Sequence, residues 1–135
     1  MTCGAGYYNI LIMPTDYDLC FVTVGDKKTA GAMTQGLLKE RLAACVSAVP
    51  GVESSYWWKE KIETSAETLL IIKTRRNLRN DIIQFVKRNH PYDVPETVFT
   101  VIDEGSKAYL DWLGANTLFT ANIPLDTLAE VKNTL

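Results

Sequence analysis

Two hydrophobic periods alternate along the chain. Leu19-Cys20-Phe21-Val22-Thr23-Val24 is a compact apolar, β-branched run closed by Gly25-Asp26, which predicts a buried first strand and a turn. Ala30, Met33, Leu37, Leu38 and Leu42 then fall at i, i+3, i+7, i+8 and i+12, one stripe of an amphipathic helix. Lys39 and Arg41 near its end suit the helix dipole. Residues 44–49 read as a second strand, which Pro50-Gly51 breaks or bends. Strand character resumes at Val52 and runs through Tyr56-Trp57-Trp58 toward Ile62. The polar residues 63–67 are expected to turn the chain into a third strand over 68–74. Asn77 is placed to cap a second helix with the stripe Leu78, Ile82, Phe85 and Val86, and Pro91 ends it. A fourth strand over 97–102 and a short helix carrying Tyr109, Leu110, Trp112 and Leu113 complete the pattern.

The order β-α-β-β-α-β is the split βαβ arrangement: an α+β, ferredoxin-like fold with two helices on one face of an antiparallel sheet. Residues 18–114 make the domain. Residues 1–17 read as an N-terminal extension, and 115–135 as a weakly helical tail with Leu125, Leu128 and Val131 on one side.

Two helices cover one sheet face, so a strand of that sheet should alternate apolar and polar. Leu69-Leu70-Ile71-Ile72 is instead apolar on both faces. Trp57 and Trp58 are adjacent and point to opposite sides of an extended strand, so at least one indole faces water in a monomer. Either the terminal segments fold back over the open face or a second copy covers it. Self-association, with Trp57 and Trp58 at the interface, is the simpler solution.

The composition narrows the function classes. The chain has 135 residues, 47% of them hydrophobic and 22% charged, which suits one globular core. A net charge of −2 gives no field to hold nucleic acid or an anionic membrane. Lys73, Arg75, Arg76, Arg79, Lys87 and Arg88 make the second helix region basic, and without an aromatic platform they read as a solvated face. No apolar run is long enough to span a bilayer, and residues 1–14 lack the cationic start of a secretory signal. The unpaired Cys3, Cys20 and Cys45 suit a reducing compartment, so a cytoplasmic location is expected. No GxSxG, Walker or GxGxxG motif occurs, and the turn at Gly25-Asp26-Lys27-Lys28 lacks the arginine that an acylphosphatase of this topology needs. No enzymatic activity is expected.

Several uncommon strings occur in one order: Arg41-Leu42-Ala43-Ala44-Cys45-Val46, Val49-Pro50-Gly51-Val52, Tyr56-Trp57-Trp58, Leu70-Ile71-Ile72-Lys73-Thr74, His90-Pro91-Tyr92-Asp93-Val94-Pro95-Glu96 and Tyr109-Leu110-Asp111-Trp112-Leu113. In these the chain resembles the CutA family of divalent-cation tolerance proteins, over about residues 19–114. The resemblance implies a PII-like subunit in a tight trimer, cytoplasmic, and linked to tolerance of copper and other divalent metals. The chain departs from the family where Thr-Ala-Pro-Asp is here Thr23-Val24-Gly25-Asp26, where a metal-binding cysteine is here Val22, and where two histidines are here Asn89-His90. At Trp58-Lys59-Glu60-Lys61 the family string is Trp-Glu-Gly-Lys.

His90 is the one imidazole, so any copper site should depend on it most, together with Glu96 or Asp93. The alternative is that His90 caps its helix. Cys45 is a candidate soft ligand for Cu(I), or a packed thiol. Tyr56, Lys61, Glu63, Lys73 and Tyr92 are the polar groups expected in an inter-subunit cleft, as a small-molecule site or as the fastening of the trimer. No organic cofactor is expected.

Overall fold

The computed structural model describes residues 14–118. Strand β1 (Tyr17–Val24) leads to helix α1 (Lys27–Lys39), then β2 (Cys45–Trp58) and β3 (Lys61–Arg75). A 3-10 turn (Arg76–Leu78), helix α2 (Arg79–Asn89), β4 (Val98–Val101) and helix α3 (Lys107–Ala115) follow. The antiparallel sheet has the order β2-β3-β1-β4, as the ferredoxin-like fold requires. The N-terminal residues 1–13 and the stripe at Leu125, Leu128 and Val131 lie outside the described residues.

The period-2 pattern of β1 places Cys20, Val22 and Val24 in the core, against Leu70 and Ile72 of β3. From the helices come Ala30, Met33 and Leu37, and Leu78, Ile82, Phe85 and Val86, the stripes read from the sequence. Asp26 starts α1 by accepting from the backbone N–H of Thr29 at 2.7 Å. That bond holds its carboxyl below the usual carboxylate range. Asn77 does not cap α2: it lies inside the 3-10 turn, and α2 begins at Arg79 with Leu78 in the cap position and no side-chain cap.

The β2–β3 connection differs most from expectation. Residues 63–67 are strand, not turn, and the turn is Lys59-Glu60. Both turn residues are left-handed, with φ of 48° and 64°, as a two-residue type I′ hairpin turn demands. The polarity of 63–67 misled because both faces of 63–66 meet solvent, while Glu67 is a buried polar residue. Pro50-Gly51 does not end β2; it forms a bulge between Val49, opposite Leu69, and Val52, opposite Glu67. Gly51 takes a φ of 73° there, which a glycine adopts without strain.

β1 pairs with β3 only over Thr68 to Arg75. Beyond that, β2 and β3 run on alone, so 52–58 and 61–67 form a two-stranded arm that leaves the body of the domain.

The helix-free face of the sheet carries Tyr17, Leu19, Phe21, Leu69 and Ile71, all half-buried. Helix α3 lies against one end of it, where Arg75 donates to Gly114 O at 2.8 Å and to Thr117 Oγ1 at 3.0 Å. A terminal element thus does return to this face, at its Tyr17–Arg75 end. The solvated basic face is corrected in part as well. Arg76 and Arg79 both clamp the fully buried Asp18 carboxylate, Arg76 at 3.2 Å.

Candidate functional site

His90 follows the last residue of α2, and its backbone N–H closes the helix on Val86 O at 2.8 Å. Its side chain does not cap the helix. Asn89 does, donating from Nδ2 to Phe85 O at 2.8 Å. The imidazole instead turns to β1, with Nε2 2.7 Å from Thr23 O. Its other nitrogen, Nδ1, accepts from the backbone N–H of Tyr92 at 3.1 Å. The ring is tilted against that of Tyr92, centroids 4.5 Å apart, and the residue is 7% exposed.

Tyr92 extends this group to the root of the arm by donating from Oη to Glu67 Oε2 at 3.0 Å. Burial, and then the carboxylates and Tyr56 phenol around it, push its hydroxyl above the ordinary tyrosine pKa. Gly25 leaves room for this hydroxyl, since a Cβ there would stand 2.9 Å from Tyr92 Oη. Glu67 is buried and central to the group, and sequence reasoning missed it by assigning it to a turn. The signal that could have found it is the strand period, which continues from Leu69 back to Glu67.

The other candidates lie apart. Tyr56 stands on the arm, 3.4 Å from Ser65 Oγ, close enough to act on Tyr92. Glu63 lies directly opposite Tyr56, and Lys61 lies farther out, opposite Trp58. Lys73 is at the far end of β3, where it donates to Ser47 Oγ at 2.7 Å and lies 3.7 Å from Cys45 Sγ. Glu96 is exposed ahead of β4. Cys45 is opposite Lys73, which is opposite Leu19, whereas His90 reaches Thr23, four residues farther along β1. At 3.3 Å per residue that is about 13 Å along the strands alone.

A transition-metal centre needs three or four ligands converging on one point. Among the described residues no three His, Cys, Asp or Glu side chains do so. Cys20 is fully buried and pushed up to about 12 by burial and then by Asp18 and Glu96, so its thiol stays protonated. The Cys45 thiol has a lysine ammonium beside it, a poor setting for a cation. The described residues of one subunit therefore gather no set of three such donors.

Comparison with known proteins fits this chain to a family. The model of the CutA1 divalent ion tolerance protein matches residues 19–116. The chain belongs to the CutA1 family. A rice protein, CutA 1, chloroplastic, is 47% identical over 97 residues, which cover 72% of this chain and 55% of the relative. The divalent-cation tolerance protein CutA of Thermus thermophilus is 41% identical over 100 residues, 74% of this chain and 97% of the relative. The crystal structure of CutA1 from Oryza sativa superposes with a TM-score of 0.77 at 43% identity, covering 79% of this chain and 98% of that one. The chain spans about half the length of the plant CutA relatives it matches. The bulge at Pro50-Gly51, the arm and the His90-Pro91-Tyr92 turn all fall inside the matched region.

Proposed function

We propose that this chain acts as a cytoplasmic homotrimer that binds divalent metal ions, copper among them, in the response to those ions, and that it carries out no enzymatic step. The observation that carries this reading is the arm. Trp57 and Ile62, paired on one side, are 73% and 67% exposed, and Trp58 on the other side is 54% exposed. A two-stranded ribbon is marginal in water by itself. Burying a large apolar side chain is worth roughly 1.5–3 kcal/mol, so a partner surface converts a liability into an interface.

A second copy would supply that surface in its half-buried helix-free face and in the edge of β4, which no other strand of the described residues pairs. The arm of one subunit and the sheet of the next are different surfaces, so the contact is head-to-tail and must close into a ring. Three subunits close it with every arm seated.

Membership of the divalent ion tolerance family supports the metal role. Because the described residues of a single subunit gather no such donor set, copper would be held across a subunit boundary. Glu96, exposed ahead of β4, is a carboxylate open to such a shared site. The unpaired cysteines Cys20 and Cys45 support a reducing compartment.

A second reading rests on the Tyr56, Tyr92 and Glu67 group at the root of the arm, which suits a small polar ligand in a subunit cleft, as in a PII-like regulator. Calorimetry of the apo protein with Cu(II), Cu(I) and Zn(II), beside a nucleotide and metabolite panel, separates the two. Saturable metal binding supports the first reading. A saturable metabolite without any metal response sinks it.

A further inference from the structure

His90 is the residue that sequence reasoning singles out as a metal ligand, and its hydrogen bonds leave it no free lone pair. The backbone N–H of Tyr92 can only donate, so Nδ1, 3.1 Å away, must be the acceptor. The carbonyl of Thr23 can only accept, so Nε2, 2.7 Å away, must carry the proton. Those two partners fix one neutral tautomer. A cation on Nδ1 would stand where the Tyr92 N–H points. A cation on Nε2 would need that proton removed and the Thr23 carbonyl displaced, in a residue only 7% exposed.

We infer that His90 is a positioning residue, a neutral Nε2-protonated imidazole that pins Tyr92 to the end of β1 and so aims it at Glu67, and that cation binding by this protein runs through other donors. The pin joins three regions. Thr23 belongs to β1, His90 and Tyr92 to the turn after α2, and Glu67 to the root of the arm. Removing the imidazole therefore frees Tyr92 and loosens the arm at its base. The inference rests on hydrogen-bond geometry within one subunit and stands whether or not the trimer forms.

The test is a long-range proton–nitrogen correlation spectrum of the full-length 15N-labelled protein at neutral pH. It is recorded alone and then with rising Zn(II), chosen as a diamagnetic probe. The expected spectrum holds one protonated Nε2 and one bare Nδ1, and neither signal moves through several equivalents of zinc. A ring protonated at Nδ1, or on both nitrogens, overturns the inference, as do signals that shift or vanish at stoichiometric zinc. Calorimetry on His90→Gln, which keeps one donor and one acceptor in a poor ligand, should find zinc affinity within about twofold of wild type. A loss of tenfold or more contradicts it. If that variant does not fold, the wild-type spectrum decides alone. A wild type that binds no zinc at all would sink the zinc arm of the cation reading above, while the tautomer signals would still decide the role of His90.

Discussion

The body of the domain and its arm obey different rules, although β2 and β3 run through both. In the body every strand residue has a fixed side: Leu70 and Ile72 are fully buried against the helices, while Leu69 and Ile71 are half-buried on the other face. In the arm, beyond its root at Glu67, the same two strands have no layer on either side among the described residues, and Trp57, Trp58 and Ile62 lie open. Packing within one chain explains the body. Among the described residues nothing covers the arm, and that contrast is the physical case for the proposed assembly.

The sharpest way to break the comparison is a charge on the arm. Trp57→Glu should weaken association on the order of 100-fold or more, because the proposed trimer buries this aromatic side chain and the variant puts an unpaired charge in its place. Gel filtration with light scattering reads it, and circular dichroism should show the helices of the body retained. Ile62→Glu, across the ribbon from Trp57, should act the same way. Loss of helix in both variants without loss of mass would erase the distinction between arm and body.

The opposite experiment belongs to the body. Leu70→Ala removes a side chain with no exposed surface and should cost about 2–5 kcal/mol in chemical unfolding, with the subunits that remain folded still associating. A smaller effect sharpens the comparison at the arm tip. Glu60 holds a φ of 64° without being glycine, a conformation that costs an L-residue about 1–2 kcal/mol. Glu60→Gly should therefore raise the unfolding midpoint and leave the assembled mass unchanged.

The same contrast governs how much the sequence revealed. The body was legible because its core is written twice, as the apolar run of β1 and as the stripes Ala30–Met33–Leu37 and Ile82–Phe85–Val86. The arm was not, because a ribbon with solvent on both faces has no apolar period to read, and 63–67 looked like a turn. Asn77 had the chemistry of a cap, but Arg76 and Arg79 are drawn to the buried Asp18, and the helix starts to suit that clamp. At the candidate site the residue types of His90 and Tyr92 could be picked out. Their use could not, since it depends on Thr23 O and Glu67, which are distant in sequence. Lys73 looked like a member of one polar constellation with Tyr92, and only the strand register shows the two at opposite ends of the sheet.

The central claim is that exposed apolar surface on the arm is covered by other copies of this chain. Sedimentation equilibrium of the wild-type protein at micromolar concentration tests it most directly. The account predicts a single species of about three times the 15.1 kDa chain mass. A folded, soluble species at the mass of one chain would contradict it.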